Sequence, residues 1–383
     1  MSQRTTLLYE IVYNDLKEKI MSGTLMPNSR IPTQVQLAKQ YSVSEMTTKL
    51  ALQKLVEEGL VSRFRKRGTF VAGPYLNQSE LSSNRPNNNA LTAIKTIYLT
   101  YWSLDTRLFS HPFFQRLMEG IKEVCSLHQI QFRIWDAGPL YELPEEEGSA
   151  FIVLSNEIEL EALEKWKAEE RRMVTVHISF PHLKIPYIIA DNYTGGYLAT
   201  QHLLALHHRR IGILLTGDDT KRLNQEFTFL LEGYKLAFSS YRQDIQPQYI
   251  YIASNNEELE EMGYEGCHAL MRLPEPPTAI FATSDYKAIG AIRALRELGL
   301  RVPENVSVIG YNNLPIADLT TPSLSTVDQH ADRIGKRATQ ILLFEWKNVL
   351  QKEMIKDEIP PTLIARESTG PLQEAPSAAQ PSQ

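Results

Sequence analysis

The stretch PTAIFATSDYKAIGAIRALRELGLRVPENVSVIGY, residues 277–311, decides how the larger part of the chain is read. Ala279 to Ala282 is a short apolar run, Lys287 to Leu298 has a helical pattern, and Val306 to Tyr311 is apolar again. Strand, helix, strand is the repeating unit of a parallel sheet. Working outward, further strand-like runs are Thr96 to Tyr101, Gln131 to Trp135, Ala150 to Leu154, Met173 to Ile178, Tyr187 to Ala190, Ile211 to Leu215 and Tyr249 to Ile252. Helical patterns lie between them at Phe113 to His128, Gly195 to Leu206, Glu226 to Ser239 and Asn256 to Leu273. The alternation predicts a doubly wound α/β fold. It is too long for one sheet, so two α/β lobes are expected, with ligands in the cleft outside the carboxyl ends of the strands.

The first 75 residues have another period. Leu8, Val12, Leu16 and Ile20 form one stripe of a helix ending near Ser22-Gly23; a short helix follows a Thr33 cap, and a third runs from a Ser44 cap to Gly59 with Ala51, Leu52, Leu55 and Val56 apolar. Two short strands, Leu60 to Phe64 and Thr69 to Val71, flank the turn Arg65-Lys66-Arg67-Gly68. Three helices and a basic hairpin predict a winged helix-turn-helix. Its third helix would present Ser44, Glu45, Thr47, Thr48 and Lys49 to a major groove, and Arg65, Lys66 and Arg67 would reach phosphates or the minor groove.

Charge follows the same division. The whole chain of 383 residues carries a net −5, but residues 1–75 hold 11 Lys/Arg against 6 Asp/Glu, and the remainder 29 against 39. A basic reader on an acidic body is thereby predicted. Residues 74–93, with five Asn, three Ser and two Pro, cannot bury a core and read as a flexible linker between a domain at 1–73 and one at 94–370; residues 371–383 read as a disordered tail. Two cysteines, neither in a CxxC, signal no disulfide framework or zinc finger. Charges through Met1 to Ile20 break any signal-peptide core, and no run of about 18 apolar residues occurs, so a cytoplasmic location and no membrane contact are expected.

The segments Ile31-Pro32-Thr33-Gln34, Val43-Ser44, Ala51-Leu52-x-x-Leu55-x-x-Glu58-Gly59-Leu60-Val61 and Gly68-Thr69-Phe70-Val71 resemble the winged helix of the gluconate-repressor (GntR) family over nearly all of residues 7–73. The resemblance adds Thr33, Gly68 and Thr69 to the DNA-contacting set. This chain departs from it at Glu45, Val35 and Lys66, where the family has Arg, Arg and Gly. The body is similar to the effector domain of the lactose-repressor (LacI/GalR) family, related to periplasmic binding proteins, through Asp191-Asn192-x-x-Gly195-Gly196, His202-Leu203 to Ile211, Glu232-Gly233-Tyr234, Pro277 to Asp285, Val302 to Tyr311, Pro322-x-Leu324-x-Thr326-Val327 and Leu363-Ile364-x-Arg366-x-Ser368-Thr369. The combination resembles the arabinose-repressor type of sugar-responsive regulator. It implies three crossings between lobes, near residues 191, 322 and 347.

That resemblance implies a sugar effector. Asp285 is its foremost candidate contact, with a helix N-cap as the competing role, and His111-Pro112-Phe113-Phe114 matches a cleft-lining Asn-Pro-Phe-Phe. Tyr101, Trp102, Ser103 and Asp105 precede that segment, and His177 and Asn192 follow strands. Relatives carry an Arg where this chain has Leu230, with Arg222 as a substitute, and Gly-Tyr/Phe-Asp-Asp appears as Gly310-Tyr311-Asn312-Asn313.

The expected function is that of a DNA-binding regulator, a repressor binding double-stranded operator DNA as a homodimer on two half-sites and controlled by a carbohydrate effector. No enzyme activity, cofactor or metal is expected: P-loop, GxSxG and HExxH motifs are missing, and His207-His208 read as part of a helix end. The alternatives are a winged helix fused to a catalytic domain, a transport-type binding protein, and the same architecture sensing a non-sugar ligand.

Overall fold

A computed structural model describes residues 8–21, 24–25, 29–58, 60–64, 68–71, 94–101, 111–154, 160–217, 223–253, 259–346 and 355–373, which form two compact units. The expected linker and the wing tip Arg65 to Arg67 lie outside the described residues, as do Trp102, Asp105 and Arg222.

The first unit contains α1 (Leu8–Met21), α2 (Gln34–Tyr41), α3 (Glu45–Glu57) and the antiparallel pair β1 (Val61–Phe64) and β2 (Gly68–Val71). The stripe read from the sequence supplies Val12 and Leu16, which pack with Ile31, Leu37, Ala51, Leu52, Leu55, Val61 and Val71. Thr33 and Gln36 form a capping box on α2, and Ser44 caps α3 by accepting from the Thr47 amide. The backbone of Ser29 to Ile31 runs beside β2, with Ile31 N–H donating to Thr69 O at 2.8 Å and Val71 N–H to Ser29 O at 2.9 Å.

The second unit runs β3 (Thr96–Tyr101), α4 (Pro112–Leu127), β4 (Gln131–Asp136), β5 (Ser149–Leu154), α5 (Leu160–Ala168), β6 (Met173–Val176), β7 (Tyr187–Ala190), α6 (Asn192–Ala205), β8 (Ile211–Thr216) and α7 (Gln225–Ser240). It continues with β9 (Ile250–Ala253), α8 (Glu260–Met271), β10 (Ala279–Ala282), α9 (Asp285–Glu297), β11 (Ser307–Ile309), β12 (Thr326–Asp328), α10 (Ala331–Gln340), β13 (Lys356–Ile359) and β14 (Thr362–Ile364). The first lobe is a parallel sheet ordered β13-β7-β6-β5-β3-β4, and the second a parallel sheet ordered β11-β10-β8-β9. Helices cover both faces, so central strands such as β3, β8 and β10 are buried along their whole length and read as continuous apolar runs. The edge strand β4 is largely exposed.

The antiparallel pair β12 and β14 joins the lobes. The chain crosses at Asp191, between β7 and α6, as expected. The second crossing falls after β12, at Gln329 and His330, and the third at Pro360-Pro361, between β13 and β14, rather than near 322 and 347. The strand expected to reach Ile178 stops at Val176, because His177 has φ 80°, outside strand geometry. The Leu372 amide donates to Leu206 O at 2.9 Å, which carries the body past the expected boundary at 370; residues 374–383 lie outside the described residues.

In the second lobe α6 and α7 meet backbone to backbone. A Cβ on Gly196 would sit 2.1 Å from Leu230 O, and one on Gly233 2.1 Å from Tyr193 O. Leu230, where the resemblance places an arginine, is fully buried in this crossing. Gly196→Ala must therefore push the helices apart, and a loss of about 1–3 kcal/mol of stability is expected in chemical denaturation. An unchanged midpoint would show that the crossing is loose.

Candidate functional site

On the winged helix, the N-caps fix which side chains of α3 face outward. Glu45 is exposed, with Met46, Lys49 and Gln53 on the same side of the helix at partial exposure. Thr47 and Thr48 are both 0% exposed, which corrects the expectation that they meet a groove. Thr47 Oγ1 lies 2.9 Å from Ser44 Oγ, and Thr48 Oγ1 donates to the carbonyls of Gln34 and Glu45. Thr69 is likewise turned into the domain, and Thr33 and Ser44 serve their caps. Gly68 opens β2. Met46 and Gln53 share the outward side with Glu45 and Lys49 because one helix face recurs at helical spacing rather than over consecutive residues.

In the two-lobed body, the carboxyl ends of the strands face a cleft whose walls already touch. His111 caps α4 through Nδ1, which accepts from the Phe113 amide at 3.2 Å, and its ring lies 5.8 Å from Tyr286 in the first turn of α9 on the other lobe. Phe113 and Phe114 pack edge to face at 5.2 Å, each about 6 Å from the His177 ring. Both are mostly buried, as is Tyr101 at the end of β3, and all three belong to the first lobe's core. Tyr101's hydroxyl pKa is raised by burial and by Asp136.

His177 reaches across the cleft: Nε2 is 3.4 Å from Glu226 Oε2. Burial, with His111 nearby, pushes its pKa down to about 4, so the imidazole is neutral at pH 7. Gln329 Nε2 donates to Glu226 Oε1 at 3.2 Å and also to Asn312 Oδ1. His177, Glu226, Gln329 and Asn312 thus form one polar chain spanning both lobes. Among the described residues Gln329 Oε1 is buried without a hydrogen-bond partner. His177 and Asn312 hold φ of 80° and 103°, strain that the surrounding contacts must sustain.

Beside this chain Gln225, the first residue of α7, clasps Ser179 of the first lobe. Its Oε1 accepts from Ser179 N–H at 2.8 Å and Ser179 Oγ at 3.1 Å, while Nε2 donates to Ser179 O at 3.1 Å. Gln225, Glu226, Gln329 and Tyr286 were not singled out from the sequence. The available signal was position: Gln225 and Glu226 open the helix after β8, and Gln329 follows β12.

Two expected contacts are corrected. Asp285 is fully buried; Oδ1 accepts from Thr326 Oγ1 and Oδ2 from Leu314 N–H, each at 2.6 Å, so both oxygens are spent inside the second lobe. Nor is it the helix cap, which is Ser284. Asn192 accepts from the Tyr311 hydroxyl at 2.7 Å, a tie within the second lobe. His208, read with His207 at a helix end, is buried among Thr278, Ser307 and the Gly370 carbonyl, and Arg209 donates to Leu204 O at 2.9 Å.

These ties generate two predictions. Gln225→Ala removes three bonds across the cleft, so hydrogen exchange at the Ser179 amide should speed up by about tenfold or more while exchange in the β8 core is unchanged; equal protection would show that the clasp does not hold the lobes. Burial pushes the Asp285 carboxyl up to about 7 from an ordinary 3.8. The protonated group's contribution is therefore complete below about pH 4 and is lost as pH rises through 7. His177 and His202, pushed down to about 4, have the opposite sign and act below 6.5. Between pH 6.5 and 8 the wild-type Tm should fall while that of Asp285→Asn stays flat, and parallel melting profiles would contradict the assignment.

The comparisons agree with this architecture. Residues 8–71 match the gntR family of bacterial regulatory proteins and residues 200–369 the periplasmic binding protein-like domain. The chain is 30% identical to the ribose operon repressor of Haemophilus influenzae over 68% of its own length and 78% of that protein. It is 25% identical to the arabinose metabolism transcriptional repressor of Geobacillus stearothermophilus over 96% of this chain and 99% of that one. A LacI family transcriptional regulator from Enterococcus faecium with bound ribose superposes with a TM-score of 0.59 at 26% identity, covering 73% of this chain and all of that one. With a gntR-family reader joined to a periplasmic binding protein-like sensor, the chain belongs to the GntR–LacI type of bacterial transcriptional repressors.

Proposed function

We propose that this regulator acts without enzymatic chemistry, in the cytoplasm, as a homodimer that represses a sugar-utilisation operon until a polyhydroxylated effector enters the cleft. The reader spans 1–73, the linker 74–93 and the sensor the body beyond. The observation that carries the reading is the chain His177, Glu226, Gln329 and Asn312, which runs from lobe to lobe and leaves Gln329 Oε1 buried without a partner among the described residues. An unfilled acceptor in a buried site costs about 1–3 kcal/mol, and a ligand hydroxyl would fill it. The rings of Phe113, Phe114, His111 and Tyr286 supply the apolar faces that a sugar ring needs.

The similar ribose and arabinose repressors act on pentose systems, the Enterococcus faecium regulator binds ribose, and a cellobiose complex shares the fold at 20% identity, so both sugar sizes belong in the test. No helix among the described residues is long and apolar enough to cross a membrane. Full-length protein should gain thermal stability with at least one of D-ribose, L-arabinose and cellobiose, by about 2.7 kcal/mol at a hundredfold excess over Kd. Gln329→Leu should abolish the gain, and because it also removes the bonds to Glu226 and Asn312 its own sugar-free Tm should be lower. If no sugar or polyol raises Tm, the cleft takes another class of ligand.

A further inference from the structure

We infer that Glu45 sets the operator preference of this regulator by accepting a hydrogen bond from a cytosine N4 amine in each half-site. The inference concerns the reader alone and stands whatever the effector is. Ser44 caps α3 and turns Thr47 and Thr48 inward, where their hydroxyls are used within the protein. That leaves Glu45 and Met46 as the outward side chains of the first turn, followed by Lys49 one turn later. Glu45 is exposed, and no hydrogen bond or ion pair among the described residues engages its carboxylate.

A helix entering the major groove by its N-terminal turn brings this carboxylate closest to the base edges. There it is surrounded by phosphates and loses water, a cost that only a donor can offset. The major-groove edge of guanine offers two acceptors, N7 and O6, and repels a carboxylate. Cytosine offers the N4 amine with no acceptor of its own beside it, whereas the N6 amine of adenine sits next to the N7 acceptor, which repels a carboxylate. The same glutamate therefore attracts a C·G pair in one orientation and rejects the other, which is specificity by attraction and exclusion together.

An acid in the first turn of a helix also complements the helix dipole, and that role alone would touch stability but not sequence choice. Selection of binding sites from a randomised duplex library by the full chain separates the two. Wild type should enrich one cytosine per half-site, with about 5- to 150-fold discrimination over guanine. Glu45→Ala should lose the preference at that position alone, and Glu45→Arg should turn it to guanine, with all three proteins melting within about two degrees of one another. Identical enriched sequences in the three proteins would overturn the inference. So would loss of all DNA binding in a normally folded Glu45→Ala, which would make Glu45 an anchor rather than a reader.

Discussion

Two buried carboxylates at the ends of one three-residue strand hold the sensor together. At the start of β12, Thr326 donates to Asp285, whose other oxygen receives the Leu314 amide, so the strand is fixed to the second lobe. At its end, Asp328 accepts from Arg116 of α4 in the first lobe, at 3.1 and 3.3 Å, and from Asn313 of the second lobe at 3.0 Å. Burial alone would raise the pKa of Asp328, but hydrogen bonds from Asn313 and the His330 amide, together with the Arg116 charge, hold it below the ordinary carboxylate range. The Arg116–Asp328 pair adds little net stability, yet breaking it leaves a stranded charge, so it fixes geometry.

With the hinge so constrained, the cleft has few independent ways to move. The clasp between Gln225 and Ser179 and the contact between His177 and Glu226 hold it closed. Each hydrogen bond is worth about 0.5–1.5 kcal/mol net, so the closed form is favoured by an amount that a small ligand can match. That is the condition for a switch: an effector shifts the equilibrium only through its different affinity for the two forms, by about 1–3 kcal/mol in ordinary allosteric systems. A cleft welded by an apolar interface could not respond on this scale.

The architecture was legible because parallel strands buried on both faces are short apolar runs: all nine of the runs read from the sequence overlap an observed strand. The hinge strands β12, β13 and β14 were not read as strands, although segments at β12 and β14 carry part of the family resemblance. They are three or four residues long, and Lys356-Asp357-Glu358-Ile359 carries three charges because it lies at a sheet edge. Residue type misled at Asp285, since an acid after a strand suits a ligand, a cap or an internal tie equally well. Only three-dimensional contacts reveal that Thr326, 41 residues away, has claimed it. Thr47 and Thr48 misled for a related reason, because polar residues in a first turn suggest a surface until the cap shows where their hydroxyls go. His111, Phe113, Phe114, His177 and Asn312, chosen by pattern, lie in the segments that follow β3, β6 and β11.

Reciprocity tests the central claim that cleft and reader are one thermodynamic machine. A labelled operator duplex is titrated with the full chain in the absence and at saturation of a stabilising sugar, and the sugar is titrated against free and operator-bound protein. The sugar should weaken operator binding by at least fivefold, and operator should weaken sugar binding by the same factor. A sugar that binds tightly while leaving operator affinity unchanged would contradict it.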